Sequence, residues 1–391
     1  MFSQVLGSAA NVSAVAFLGL LAADLTGSDR LAGLPSATLT LGTAMLAPLL
    51  ARRAIRRGRR PALVMGYLVG SLGAFATFFA GQAGVFLWLI PALLLLGSTQ
   101  ASGLQTRFAA ADHAEPGQRA RAISLVVWVS AIGGVLGPSL ATWENDVGVG
   151  LGLRAWVSPL LLAGVLSLLA ALVITIRLPG SDTTAVGGLR PSPRWMNTWQ
   201  AVRTNRLALL GIVTVALSQA AMVAVMTMTP LHMRDHGHAT LSGYVIALHV
   251  FGMFGLAPLV GRFVDRAGSF RAIKIGAVIL GSGVLVSVVA GYQPALIFVG
   301  LFLLGLGWNF GLIAGSTLLT ASVDIEHRLA AQGMSDTLLS VLGGCAALAS
   351  GFIKQGWGFH WLANAAFALA VLVMVWALVV SRGHVRVPFS A

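Results

Sequence analysis

The chain has 391 residues, 57% of them hydrophobic and 9% charged, with a mean hydropathy of +0.86. These values exclude a water-soluble globular protein, and runs near the roughly 20 apolar residues that cross hydrocarbon recur along the whole chain. The formal charge of +13 invites a nucleic-acid partner, but the placement of the basic residues excludes it, and the lone Cys345 excludes a disulfide framework or a cysteine metal cluster.

Twelve apolar segments follow in chain order: 4–25, 31–51, 61–81, 83–106, 120–143, 156–177, 206–230, 240–261, 271–292, 294–318, 329–353 and 359–381. They predict an all-α membrane protein of twelve transmembrane helices with no room for a soluble domain. No basic residue precedes Arg30, and the first apolar run leads into a second, so no cleavable signal peptide is expected. With the N-terminus in the cytoplasm, the outer side holds Arg30, Arg154, Arg234 and Lys354, and the other 21 of 25 basic residues face the cytoplasm. This positive-inside bias sets both termini inside and makes the lipid bilayer the partner of the charge.

A duplication organises the segments. Gly58 corresponds to Gly268, Gly97 to Gly307, and Gly133-Gly134 to Gly343-Gly344, each pair 210 residues apart. Two pseudo-symmetric six-helix halves are therefore expected, 1–177 and 206–391, with a substrate site near the midplane. Between them, 178–205 reads as a cytoplasmic linker. Its end, Arg194 to Trp199, carries two Trp at i, i+4 and predicts a short interfacial helix, with an unstructured linker as the alternative.

The segment Gly261-Arg262-Phe263-Val264-Asp265-Arg266-Ala267-Gly268 resembles the G-x-x-x-D-R-x-G loop of the major facilitator superfamily. The resemblance covers the whole chain and implies that fold and a secondary transporter rather than an enzyme. It also implies a cytoplasmic gating latch on Asp265, Arg262 and Arg266. The first-half copy, Ala51 to Arg60, has Ile55 where the motif has Asp, so the latch would rest on the second copy.

The stretch Met222 to Met253 holds five of the eleven Met and four of the eight His. Met222 and Met226 form an i, i+4 pair in segment seven, and His249 and Met253 form another in segment eight. If these helices lie side by side, the pairs make a four-ligand ladder suited to Cu(I), which prefers thioether and imidazole. Descending from the outer face at about 1.5 Å per residue, Met226, Met222, His249 and Met253 would lie at depths of ~7, ~13, ~12 and ~18 Å. Met228, His232, Met233, His236 and His238 would recruit the ion above it. The equivalents 210 residues earlier are Val12, Ala16, Leu39 and Thr43, so packing alone does not require the ligands. The plain alternatives are gap-filling Met and a His satisfied by a carbonyl.

This Met-x-x-x-Met and His-x-x-x-Met arrangement also resembles that of the CcoA-like copper importers of cytochrome oxidase assembly. That resemblance implies copper import across a bacterial inner membrane for heme–copper oxidase assembly. A periplasmic donor and a cytoplasmic chaperone would be partners of a monomer, with copper as cargo and no cofactor. Two features favour a proton-coupled exporter of drugs or small metabolites instead. Asp336, the carboxylate placed most clearly in a segment, would carry a proton or cap a helix end. Gly133 to Pro138 resembles part of an antiporter motif, or gives close helix packing.

Overall fold

A computed structural model describes residues 1–27, 31, 34–112, 114–178, 195–235, 242–289 and 293–384. The helices are α1 (Phe2–Thr26), α2 (Leu34–Arg57), α3 (Arg59–Gln82), α4 (Phe86–Asp112), α5 (Arg119–Gly150), α6 (Ser158–Arg177) and α7 (Trp195–Thr204). They continue as α8 (Arg206–Asp235), α9 (Ser242–Val250), α10 (Ala257–Ala267), α11 (Ser269–Val289), α12 (Pro294–Ser322), α13 (Ile325–Trp357) and α14 (Phe359–His384). Among the described residues there is no strand. In hydrocarbon each backbone polar group must bond within its own segment, which helices achieve.

Among the described residues, eleven helical stretches are long and apolar enough to span a membrane, and α5 coincides with the remaining segment at 120–143. The eighth span is composite. Helix α9 passes into a π-helical turn, Phe251–Gly255, before α10 resumes the path. Pro258 follows the turn and has no N–H to return to the previous turn, which breaks the regular ladder there.

The duplication is visible in backbone geometry. Gly58, between α2 and α3, has φ 87°, and Gly268, between α10 and α11, has φ 83°. Both turns occupy the left-handed region that only glycine enters without strain. The 210 offset does not persist into α4 and α12. A Cβ on Gly97 would lie 2.5 Å from the Thr43 amide and 2.6 Å from the Leu39 carbonyl. The glycine held between the His249 carbonyl and the Met253 amide is Gly305, not Gly307. Likewise Gly73 abuts the Ala92 carbonyl and Leu96 amide, and Gly283 abuts the Gly300 carbonyl and Leu304 amide. The second copy is thus two residues shorter between these helices, and its offset there is 208. Leu39 and Thr43 remain the structural equivalents of His249 and Met253.

The chain forms two compact units. The first comprises 1–109, 129–195 and 332–341, and the second 110–128, 196–331 and 342–391. In the first, α1 and α3 pack on α6, and a core around Leu18, Leu21, Leu39, Leu93, Leu96 and Leu160 excludes water. Gly133 of α5 sits against the backbone of α1, where a Cβ would meet the Val5 carbonyl at 2.4 Å; this is close helix packing. The rest of that segment, 135–139, lies outside the described side chains.

In the second unit α12 is the hub, packing against α8, α9, α10 and α11. The expected short helix is α7, which buries Thr198 and Val202 at i, i+4 and pairs Thr198 Oγ1 with His327 Nδ1 at 3.3 Å. The linker before it, 179–194, lies outside the described residues.

The close contact at Gly305 predicts that Gly305→Ala costs about 1–3 kcal/mol, because a methyl must enter backbone of another helix. Gly134→Ala, with nothing within 4 Å of its Cβ, should not lower stability. Thermal unfolding of the two variants in detergent checks this.

Candidate transport site

Helix α4 continues past the expected end of its segment at 106, because Phe108 and Ala109 to Ala111 keep it apolar. That extension carries Arg107 into the interior of the first unit. Its Nη2 donates to Asp336 Oδ1 of α13 at 2.6 Å, with side-chain exposures of 3% and 0%. Arg107 also lies over the Phe108 ring, 4.6 Å from its centroid. Asp336 Oδ2 and Arg107 Nε are buried with no hydrogen-bond partner among the described residues. Asp336 is therefore an interior residue and not an exposed helix cap.

One turn earlier on α13, Gln332 Oε1 accepts a hydrogen bond from buried Arg59 of α3. Gly333 lies against Ala51 of α2. Three helices thus grip one turn and a half of α13, through two arginines and one close approach. Two charges out of water carry a desolvation cost that their attraction offsets only while both remain. Sequence reasoning missed Arg107, which stood one residue beyond the segment boundary.

Asp265 of α10 caps the start of α5. Its oxygens accept the backbone N–H groups of Ala120 at 3.1 Å and Arg121 at 2.9 Å. A carboxylate there satisfies orphan amides and complements the positive helix end. Arg262 and Arg266 line a cavity beside it.

In the second unit, Met222, His249 and Met253 are buried and Met226 and Met228 are half-buried. His249 Nδ1 lies 2.7 Å from the Leu301 carbonyl of α12. A carbonyl only accepts, so Nδ1 carries the proton and Nε2 presents a lone pair. Nε2 is buried with no hydrogen-bond partner among the described residues.

The helices α8 and α9 touch only along a short stretch, and each packs chiefly on α12. The contacts that hold His249 and Met253 run to Leu301 and Gly305 of α12. His232 and Met233 fall on the last turns of α8, where side chains are not described. His236 and His238 lie outside the described residues. Among the described residues, no three of His, Cys, Asp and Glu gather.

A polar–aromatic set in the same unit escaped sequence reasoning, which weighed metal ligands, carboxylates and glycine motifs but no amide or indole. Trp308 Nε1 of α12 donates to Gln219 Oε1 of α8 at 2.6 Å, and Phe254 meets the Trp308 ring edge-on at 5.7 Å. Asn309 is fully buried, and neither amide atom has a hydrogen-bond partner among the described residues. The available signal was an amide and an indole inside otherwise apolar segments.

A duplicated bundle of membrane-spanning helices with buried charge and amide groups defines a secondary transporter. The sequence pattern described as "Major Facilitator Superfamily" matches residues 1–323, and the chain belongs to that family. It is 35% identical to "Uncharacterized MFS-type transporter YdeG" of Bacillus subtilis, over 98% of this chain and 90% of that one. It is 28% identical to "Riboflavin transporter RfnT" of Brucella anthropi, over 95% of this chain and 92% of that one. The fold resembles the human organic anion transporter MFSD10, with a TM-score of 0.76 at 14% identity, covering 96% and 97% of the two chains. The transporter class is thus established, and enzyme activity is not part of it. The resemblance to copper importers has no counterpart among these relatives.

Removing either partner of the Arg107–Asp336 pair leaves an uncompensated buried group. Arg107→Ala and Asp336→Ala should each destabilise by roughly 3–5 kcal/mol, and the double variant by much less than the sum. A double-mutant cycle on unfolding in detergent measures that coupling.

Proposed function

We propose that the chain is a proton-coupled secondary transporter of small organic solutes, with Asp336 as the proton-carrying group. The observation that carries this reading is the buried Arg107–Asp336 pair, whose free oxygen, Oδ2, can accept a proton. Protonation neutralises Asp336 and removes the attraction to Arg107, so the grip of α3 and α4 on residues 332–336 weakens. Reloading of the charge restores it. A membrane-embedded ion pair that changes state with a proton is a means of linking a gradient to helix movement. The arginine distribution supports a topology with both termini in the cytoplasm, and the Bacillus subtilis relative supports a bacterial cytoplasmic membrane.

For the solute, a planar hydrogen-bonding heterocycle fits best. Trp308 and Phe254 are paired aromatic rings beside α8, and Asn309 carries an amide donor and acceptor with no partner among the described residues. The likeness to a protein named a riboflavin transporter supports this class. The test is accumulation of labelled riboflavin in proteoliposomes under an imposed pH gradient. The wild type should accumulate it, and Asp336→Asn should lose gradient-driven accumulation by about tenfold or more, a cost near 1.4 kcal/mol or above, while retaining exchange at equal pH. Full gradient-driven accumulation by Asp336→Asn would remove the coupling role.

A second reading, uptake of Cu(I) through Met222, Met226, His249 and Met253, is favoured by one observation: the unpartnered Nε2 of buried His249. Its position is filled in the first half by Leu39, so shape alone does not call for imidazole. Cellular copper accumulation should fall in both His249→Leu and Met226→Leu if this reading holds. Unchanged copper content in the two variants would remove it.

A further inference from the structure

Helix α12 holds a buried amide between two anchored aromatic residues. Asn309 is 0% exposed, and neither Oδ1 nor Nδ2 has a hydrogen-bond partner among the described residues. On one side of it, Trp308 donates to Gln219 Oε1 of α8 and meets Phe254 edge-on. On the other, Phe310 meets Phe263 of α10 edge-on at 5.9 Å. Successive helical residues step by about 100° around the axis, so these two ring contacts fix the rotation of α12 and the direction in which residue 309 leaves it. A polar side chain in a helix can satisfy itself on the carbonyl four residues back, as Thr320 of the same helix does with Ser316. The Asn309 amide makes no such bond. It therefore carries the desolvation penalty of a donor and an acceptor together, which a leucine of similar size would avoid.

The amide also limits what can complete it. A cation would meet Oδ1 alone and an anion Nδ2 alone, leaving the other atom unpaired. A ring edge that carries an N–H beside a C=O uses both atoms through two parallel hydrogen bonds in one plane, as an asparagine does when it reads a nucleobase edge. Alternating access exposes such a residue during part of the transport cycle.

We infer that Asn309 determines solute specificity by pairing with such an edge, so that the solute is a cyclic imide or lactam and not an aromatic compound of any kind. The inference rests on the reading of the chain as a transporter of planar heterocycles and adds to it the recognised edge and the residue that reads it.

The test is binding of riboflavin, and of riboflavin methylated at its imide nitrogen, to the full chain in detergent, read by quenching of flavin fluorescence. The methyl group removes the N–H of the edge and leaves the ring system in place. The wild type should bind riboflavin about tenfold or more tightly than the methylated form. Asn309→Leu should bind the two equally, and its thermal midpoint without flavin should not fall, because an unpartnered amide has been removed. Asn309→Gln, which sets the amide one methylene further out, should also lose the preference and serves should Asn309→Leu fail to fold. Equal binding of the two flavins by the wild type, as an ordered water on the amide would give, overturns the inference and leaves the solute reading standing. A preference retained in the variants overturns the assignment to Asn309. Binding of neither flavin by the wild type overturns the solute reading itself.

Discussion

Opposite charges that are removed from water must stay together, and in this chain that constraint falls on Arg107 and Asp336. Their side chains are almost wholly buried and lie 229 positions apart in sequence. While both are charged, separating them exposes each to the full cost of an unpaired ion in an apolar interior. The neighbouring contacts of α13 follow the same turn: Gln332 meets Arg59, and Gly333 meets Ala51. Residues 332–341 cluster with the first unit although most of α13 belongs to the second. A single proton on Asp336 changes the electrostatic part of that attachment without disturbing the apolar part. The proposed proton coupling acts at this segment.

The second unit is governed by a different constraint, close approach of backbones. Gly305 allows the turn from His249 to Met253 to lie directly on α12, and the overlapping π-turn, Phe251–Gly255, carries Phe254, which meets Trp308 edge-on. Irregular backbone of this kind recurs at functional positions in helices. Around it stand groups with no hydrogen-bond partner among the described residues: Nε2 of His249 and the amide of Asn309. Buried polar atoms of this kind are completed by ordered water, an ion or a ligand.

Much of the architecture was legible from residues alone, for physical reasons. Hydrocarbon thickness fixes segment length, so the apolar runs marked the helices. Glycine at positive φ leaves a trace that no other residue replaces, so Gly58 and Gly268 marked the repeat. The match of Gly97 to Gly307 was misleading, because a two-residue shortening made Gly305 the true counterpart. Sequence spacing carries no information on such a slip without the contacts. Asp336 was legible as an acid in an apolar run, but its partner was not. Arg107 lay just past a hydropathy boundary, and pairing across 229 residues is a property of tertiary structure. The Met and His residues were legible as a cluster, yet which helix each would face was not. The His249 contacts turned out to run to α12.

We propose that Asp336 exchanges a proton as the transporter works on an organic solute. This exchange is tested most directly by counting protons when riboflavin is added to purified protein in weakly buffered detergent solution with a pH-sensitive dye. The wild type should exchange one proton with each solute bound and Asp336→Asn none, although that variant still binds. Solute binding by both proteins with the same proton count would contradict it.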